Sequence, residues 1–157
     1  MLTGLPPVLD ADTRTLILGS FPGRASLDAG QYYAHPRNQF WRLLGAVLQE
    51  NLAALAYPER LARLRVNRVG LWDVLDSCER AGSLDSAIRN ARANNFDLLH
   101  TLTPALQRVC FNGRTAARHA QAFAAAGFDI LVLPSSSPAH ASLSFEDKLA
   151  QWRGILG

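Results

Sequence analysis

The chain predicts an α/β fold: three layers, α/β/α, around a central, mainly parallel four-stranded sheet. Three observations carry this reading. Short apolar, partly β-branched runs recur along the 157 residues. Each ends in a Gly, Asn-Gly or Pro break. Segments with helical apolar spacing lie between them, and strands that alternate with helices form a parallel sheet covered on both faces.

Thr15-Leu-Ile-Leu18, ending at Gly19, reads as a buried strand. Residues 20 to 37 carry repeated Gly and Pro breaks and read as a loop. From Asn38 the apolar positions 40, 44, 47 and 48 have helical spacing, with Asn38 where an N-cap stands. A second helix is expected over about Pro58 to Arg65. Val69 to Leu75 reads as a strand or a buried turn. Ser83 to Ala93 is polar and reads as a short helix and a surface loop. Phe96 to Thr103 reads as a helix stopped by Pro104. Arg108-Val-Cys-Phe111 is a strand, Asn112-Gly113 a turn, and Thr115 to Ala126 an Ala-rich helix ended by Gly127. Phe128 to Leu133 is another strand, running into Pro134-Ser-Ser-Ser-Pro138, and a last helix spans about Ser144 to Ile155.

Composition bounds the function. Apolar residues make up 48% and charged residues 18%, as in a soluble globular protein. The length suits one domain, residues 1–157, with a real core. No apolar run approaches the ~20 residues of a membrane span. Met1 to Asp12 holds two prolines, two acids and no basic stretch, so no signal peptide is read there and the expected compartment is the cytoplasm. Cys78 and Cys110 are too few for an iron–sulfur cluster or a four-cysteine zinc site and read as buried thiols. No cofactor and no metal are expected. Net charge is +3, and fifteen of the sixteen basic residues are arginine, whose planar fork suits phosphate.

In open α/β sheets ligands bind at the carboxyl ends of the strands. Gly19 to Arg37, Asn112-Gly113 and Pro134 to His140 lie there. Tyr32 and Tyr33 are candidates for stacking on a base, with one of the two expected in the core. His35 reads as a loop-packing residue. Asn38 is a helix cap by residue type, a role compatible with holding a water because the amide both donates and accepts. Asn112 stands in a common turn, which is its first reading, yet its place at a strand end would point an amide toward the cleft, and an amide can read a purine edge. Ser135, Ser136, Ser137 and His140 offer hydroxyls and amides suited to phosphate. A Ser136–His140–Asp147 triad is rejected, because no G-x-S-x-G elbow is present and the histidine is only four residues from the serine. GxGxxG and GxxxxGK[ST] are absent as well.

Gly19-Ser-Phe-Pro-Gly23, Tyr33-Ala-His-Pro-Arg-Asn-Gln-Phe-Trp41, Gly70-Leu-Trp-Asp-Val-Leu75, Gly82-Ser-Leu-Asp-Ser-Ala-Ile88, Phe111-Asn-Gly113 and Leu133-Pro-Ser-Ser-Ser-Pro-Ala-His140, in this order, resemble the uracil-DNA glycosylase superfamily, and within it the hypoxanthine-DNA glycosylase branch. Uracil-specific relatives carry an amide or acid where this chain has Phe21, and His or Asn where it has Leu133. Neither side chain present can orient water or donate a hydrogen bond. The resemblance therefore implies that catalysis has moved to Asn38. It also implies that Phe21, Tyr33 and Asn112 contact the base, with Tyr33 stacking on it. Ser135, Ser136, Ser137 and His140 would grip DNA phosphates, helped by Arg37 or Arg114. The implied activity is removal of a flipped-out deaminated base, most of all hypoxanthine, from damaged DNA by a monomer. The alternatives are a uracil or mismatch glycosylase and an inactive DNA-binding relative. Strand cleavage needs an amine nucleophile, and the one lysine, Lys148, lies on the final helix, well past the serine loop, so a monofunctional enzyme is implied.

Overall fold

The computed structural model describes all 157 residues. Its main sheet has four parallel strands, β2 (Thr15–Gly19), β3 (Val69–Asp73), β6 (Arg108–Asn112) and β7 (Asp129–Leu133), in the order β3-β2-β6-β7. A smaller antiparallel sheet pairs β1 (Leu2–Thr3), β4 (Leu75–Glu79) and β5 (Arg89–Ala93). The helices are α1 (Arg24–Ala29), α2 (Phe40–Leu48), α3 (Tyr57–Val66), α4 (Leu99–Leu102), α5 (Arg114–Ala117), α6 (Ala120–Ala125) and α7 (Phe145–Trp152).

Alternation along β2 explains the three layers. Ile17 packs with Phe40, Leu43 and Leu44 of α2, Leu64 of α3, and Trp152 at the end of α7. Leu16 and Leu18 face the other way and pack with Trp72, Phe111, Ala116 of α5 and Phe123 of α6. All three side chains are fully buried, as expected for a central parallel strand covered on both faces. From β2 the chain moves first to β3 on one side and later to β6 on the other. The crevice outside the carboxyl ends of β2 and β6 is therefore a topological switch point.

Several expectations are corrected. The stretch of residues 20 to 37 contains a helix, α1, enclosed between Gly23 as N-cap and Gly30 in the left-handed region as C-cap. Residues Arg89–Ala93 are a strand rather than a surface loop; all five are exposed, and they pair with β4 at the edge of the small sheet. Val69 to Leu75 is a strand through Asp73, not a turn. The expected helix over residues 115 to 126 is two helices, α5 and α6, and the expected one over residues 96 to 103 is a 3₁₀ turn, Phe96–Leu98, followed by α4. No helix is long and apolar enough to cross a membrane.

Candidate active site

The last residue of every strand in the main sheet, Gly19, Asp73, Asn112 and Leu133, lines one cleft of about 880 Å³. That volume is within the range of small-molecule sites. The loop before α2 and the serine loop form its other walls.

Tyr33 is held in the left-handed region at φ 55°, a strained setting for a bulky side chain that costs on the order of 1–3 kcal/mol and clusters at functional sites. Its ring stacks on Phe40, with centroids 3.9 Å apart and planes 11° apart. Phe40 thus covers one ring face, and the ring borders the cleft. Tyr32 is the tyrosine expected in the core: it is buried, and its hydroxyl donates to the Pro6 carbonyl at 2.8 Å. His35 is exposed, and its Nδ1 accepts from the Arg37 amide.

Asn38 performs the capping job without being the cap residue. Gln39 holds the cap position of α2, and Asn38 Oδ1 accepts from the Phe40 amide at 3.0 Å. One Oδ1 lone pair and the Nδ2 donor stay free of hydrogen bonds within the chain, and the side chain lines the cleft.

Asn112 is clamped to the serine loop. Its Nδ2 donates to Ser136 Oγ, and its Oδ1 accepts from the Ser136 amide, both at 2.9 Å. Gly113 follows at φ 97°, where only glycine is unstrained. Ser136 is fully buried, and its carbonyl accepts from the Gln39 amide at 3.0 Å. Ser135 and Ser137 are half-buried, their Oγ atoms accepting from the Ser137 and Ala139 amides. His140 is half-exposed at the end of the loop. Arg114 lines the cleft; Arg37 is exposed outside it.

Lys148 is not remote from the loop. It is buried, and its Nζ donates to the His140 carbonyl at 2.8 Å and to Gln39 Oε1 at 2.9 Å. Burial lowers the affinity of its amine for the proton. Trp152 Nε1 adds a bond to the Pro134 carbonyl at 2.9 Å.

Phe21 is buried among the residues of the second core cluster, with the Arg80 guanidinium 5.4 Å from its ring centroid. Arg80 in turn donates to the Pro22 and Gly82 carbonyls. The slot thus carries a packing residue that borders the cleft.

Two acidic residues at the site received no role from sequence. Asp73 is buried, and burial, followed by the nearby charge of Asp85, pushes its carboxyl up to about 7. Asp85 accepts from Ser20 Oγ at 2.7 Å. An acid closing an otherwise apolar strand was the signal that marked Asp73.

A family model described as the uracil DNA glycosylase superfamily matches residues 6–154. A hypoxanthine DNA glycosylase from Methanosarcina acetivorans is 42% identical over 152 residues, covering 97% of this chain and 96% of the relative. One from Methanosarcina barkeri is 42% identical over 137 residues, 87% of each. The solution NMR structure of a Methanosarcina acetivorans protein, described as a candidate uracil DNA glycosylase, superposes with a TM-score of 0.87 at 41% identity, covering 99% of this chain and 98% of that one. A parallel sheet with this strand-end cleft, matched along nearly its whole length by the family model, makes this chain a member of the uracil DNA glycosylase superfamily.

Proposed function

We propose that the protein is a monofunctional DNA glycosylase, one domain over residues 1–157, that hydrolyses the N-glycosidic bond of hypoxanthine in DNA. The observation that carries this reading is the pairing of Asn38, with free donor and acceptor capacity, and Tyr33 in one strand-end cleft, while Phe21 fills the slot of the usual catalytic amide with a packing side chain. Both relatives named above act, by their names, on hypoxanthine in DNA.

A base inside a duplex is out of reach, so the nucleotide is flipped into the cleft. The ring lies on the face of Tyr33 opposite Phe40. Asn38 Oδ1 holds the attacking water with its remaining lone pair while the Phe40 amide fixes the side chain's orientation. Bond breaking gives an oxocarbenium-like sugar and negative charge on the base, which donors in the cleft offset. Asn112 contacts the base with the one amide proton and one lone pair that Ser136 leaves over. The amides and hydroxyl protons of the serine loop, with His140 and Arg114, hold the flanking phosphates.

The test uses labelled duplexes with one deoxyinosine, uracil or normal adenine, followed by alkali. Cleavage at inosine alone is expected. Cleavage at uracil instead would move the protein to a uracil or mismatch enzyme. DNA binding with no cleavage of any duplex would make it an inactive DNA-binding member. Asn38→Ala is expected to slow excision by at least ~100-fold with folding nearly intact. A variant that is less stable and still active would leave Asn38 as a structural residue only.

A further inference from the structure

Asp73 has no structural partner to explain it. Its side chain stands in the cleft floor, 4% exposed, and Oδ2 forms no hydrogen bond. The hydroxyl of Tyr33 is also buried and makes no hydrogen bond of good geometry, with the Asn112 side chain beside it. The two converge over Gly19. A methyl group there would lie 2.6 Å from Asp73 Oδ1 and 2.9 Å from the Tyr33 hydroxyl, so only a bare Cα admits them both. The titratable groups facing Asp73 are Asp85, from the turn after β4, and the phenols of Tyr32 and Tyr33; none is a cation. A buried carboxyl with no cation and an unbonded oxygen is kept neutral by its surroundings. Burial and Asp85 bring it to about 7, where it holds a proton and can release one.

We propose that Asp73 is the general acid of the reaction, handing its carboxyl proton to the departing purine while the Tyr33 hydroxyl beside it orients the ring edge. This rests on the glycosylase reading of the cleft. Tyr33 is the stacking platform, and its hydroxyl marks the platform's buried end, beside Asp73. A base lying on that ring presents an edge to the carboxyl across Gly19. The water held by Asn38 forms a bond to C1′, and the C1′–N9 bond breaks with its electron pair passing into the purine. Asp73 delivers its proton to a ring nitrogen, N7 or N3, so that the base leaves neutral. The proton lost by the water passes to solvent, and solvent returns one to Asp73. An amide such as Asn38 can donate a hydrogen bond but cannot transfer the proton.

Single-turnover excision from a deoxyinosine duplex, measured from about pH 5.5 to about pH 9, tests this. The wild-type rate is expected to fall roughly tenfold per pH unit above about 7. Asp73→Asn preserves shape and polarity but has no proton to give. Its rate is expected to be lower by at least ~100-fold and independent of pH, with duplex affinity close to wild type. The wild-type profile needs no variant, so the test survives a folding failure. An Asp73→Asn protein as fast as wild type overturns the proton-donor role alone. So does a wild-type rate that stays level above pH 7, in which case the carboxyl only holds the ring edge. A wild type that releases no hypoxanthine at any pH overturns the glycosylase reading, and the proton donor with it.

Discussion

Asp73→Asn is expected to abolish a loss of stability that wild type undergoes as pH rises to about 7, and the size of the effect follows from its surroundings. An ordinary aspartate gives up its proton near 3.8, whereas burial and Asp85 hold Asp73 to about 7. The fold therefore binds a proton that the unfolded chain has released. Below about pH 4 both states are protonated and nothing is lost. Between about pH 4 and about pH 7 the unfolded state sheds its proton first, so stability falls as pH rises. Above 7 the loss is complete. Three units at ~1.4 kcal/mol each set a ceiling of about 4 kcal/mol, which water entering the open cleft reduces to about 2 kcal/mol. Urea unfolding of both proteins at successive pH values isolates the effect, because carboxylates that do not face Asp73 cancel in the difference. The unpaired amide of the asparagine adds an offset of about 1–3 kcal/mol that does not vary with pH. The expected result is a variant-minus-wild-type difference in unfolding free energy that rises through the window and then levels. A difference that is constant across pH, or that favours wild type increasingly as pH rises, would refute the account and mean that a donor stabilises the Asp73 anion.

Three further substitutions or treatments separate the roles of neighbouring groups. Asn112→Ala leaves the buried amide and hydroxyl of Ser136 unpaired, so urea unfolding is expected to show a loss of about 2 kcal/mol or more together with slower excision. Gly19→Ala drives a methyl into the Asp73 carboxyl and the Tyr33 hydroxyl, and steady-state assays are expected to show at least ~10-fold slower excision, because displacement near reacting groups is costly. Borohydride added during turnover is expected to trap no covalent protein–DNA complex, seen as an unshifted band in denaturing gels, since Lys148 Nζ is bound to His140 and Gln39 beneath the loop.

Three strands of the sheet, β2, β6 and β7, were legible because each is an apolar run closed by a Gly, Asn-Gly or Pro break, whereas β3 runs on into Val74 and Leu75 without one and so read equally as a buried turn. The missed elements lack that signature. Residues Arg89–Ala93 expose every side chain, so only the pairing with β4 makes them a strand, and pairing is not written in local hydrophobicity. Helix α1 has six residues bounded by glycines, which read equally well as a loop. At the site, residue types were legible and assignments among neighbours were not. Ser135, Ser136 and Ser137 are identical in sequence; only the 24-residue reach from Asn112 buries the middle one. Asn112 was read as pointing into a cleft it does line, but its clamp on Ser136 is a long-range contact invisible to motif spacing.

The hydrogen bonds around Ser136 also bear on how the site works as a unit. Its carbonyl takes the Gln39 amide, and Gln39 follows Asn38 in the chain. The side chain of Gln39 takes the same Lys148 ammonium that holds the His140 carbonyl. The loop suited to phosphate and the residue suited to water are therefore parts of one bonded body, with α7 as its base. Displacing Ser136 would strain or break its bond to the Gln39 amide, next to Asn38. Phe21 sits apart from this body, packed with Arg80 and the second core cluster. A catalytic amide at position 21 would be aligned by the core alone. One at position 38 would be aligned by the same bonds that shape the serine loop, so under the proposed function contact of that loop with the DNA backbone would bear directly on the geometry of the attacking water.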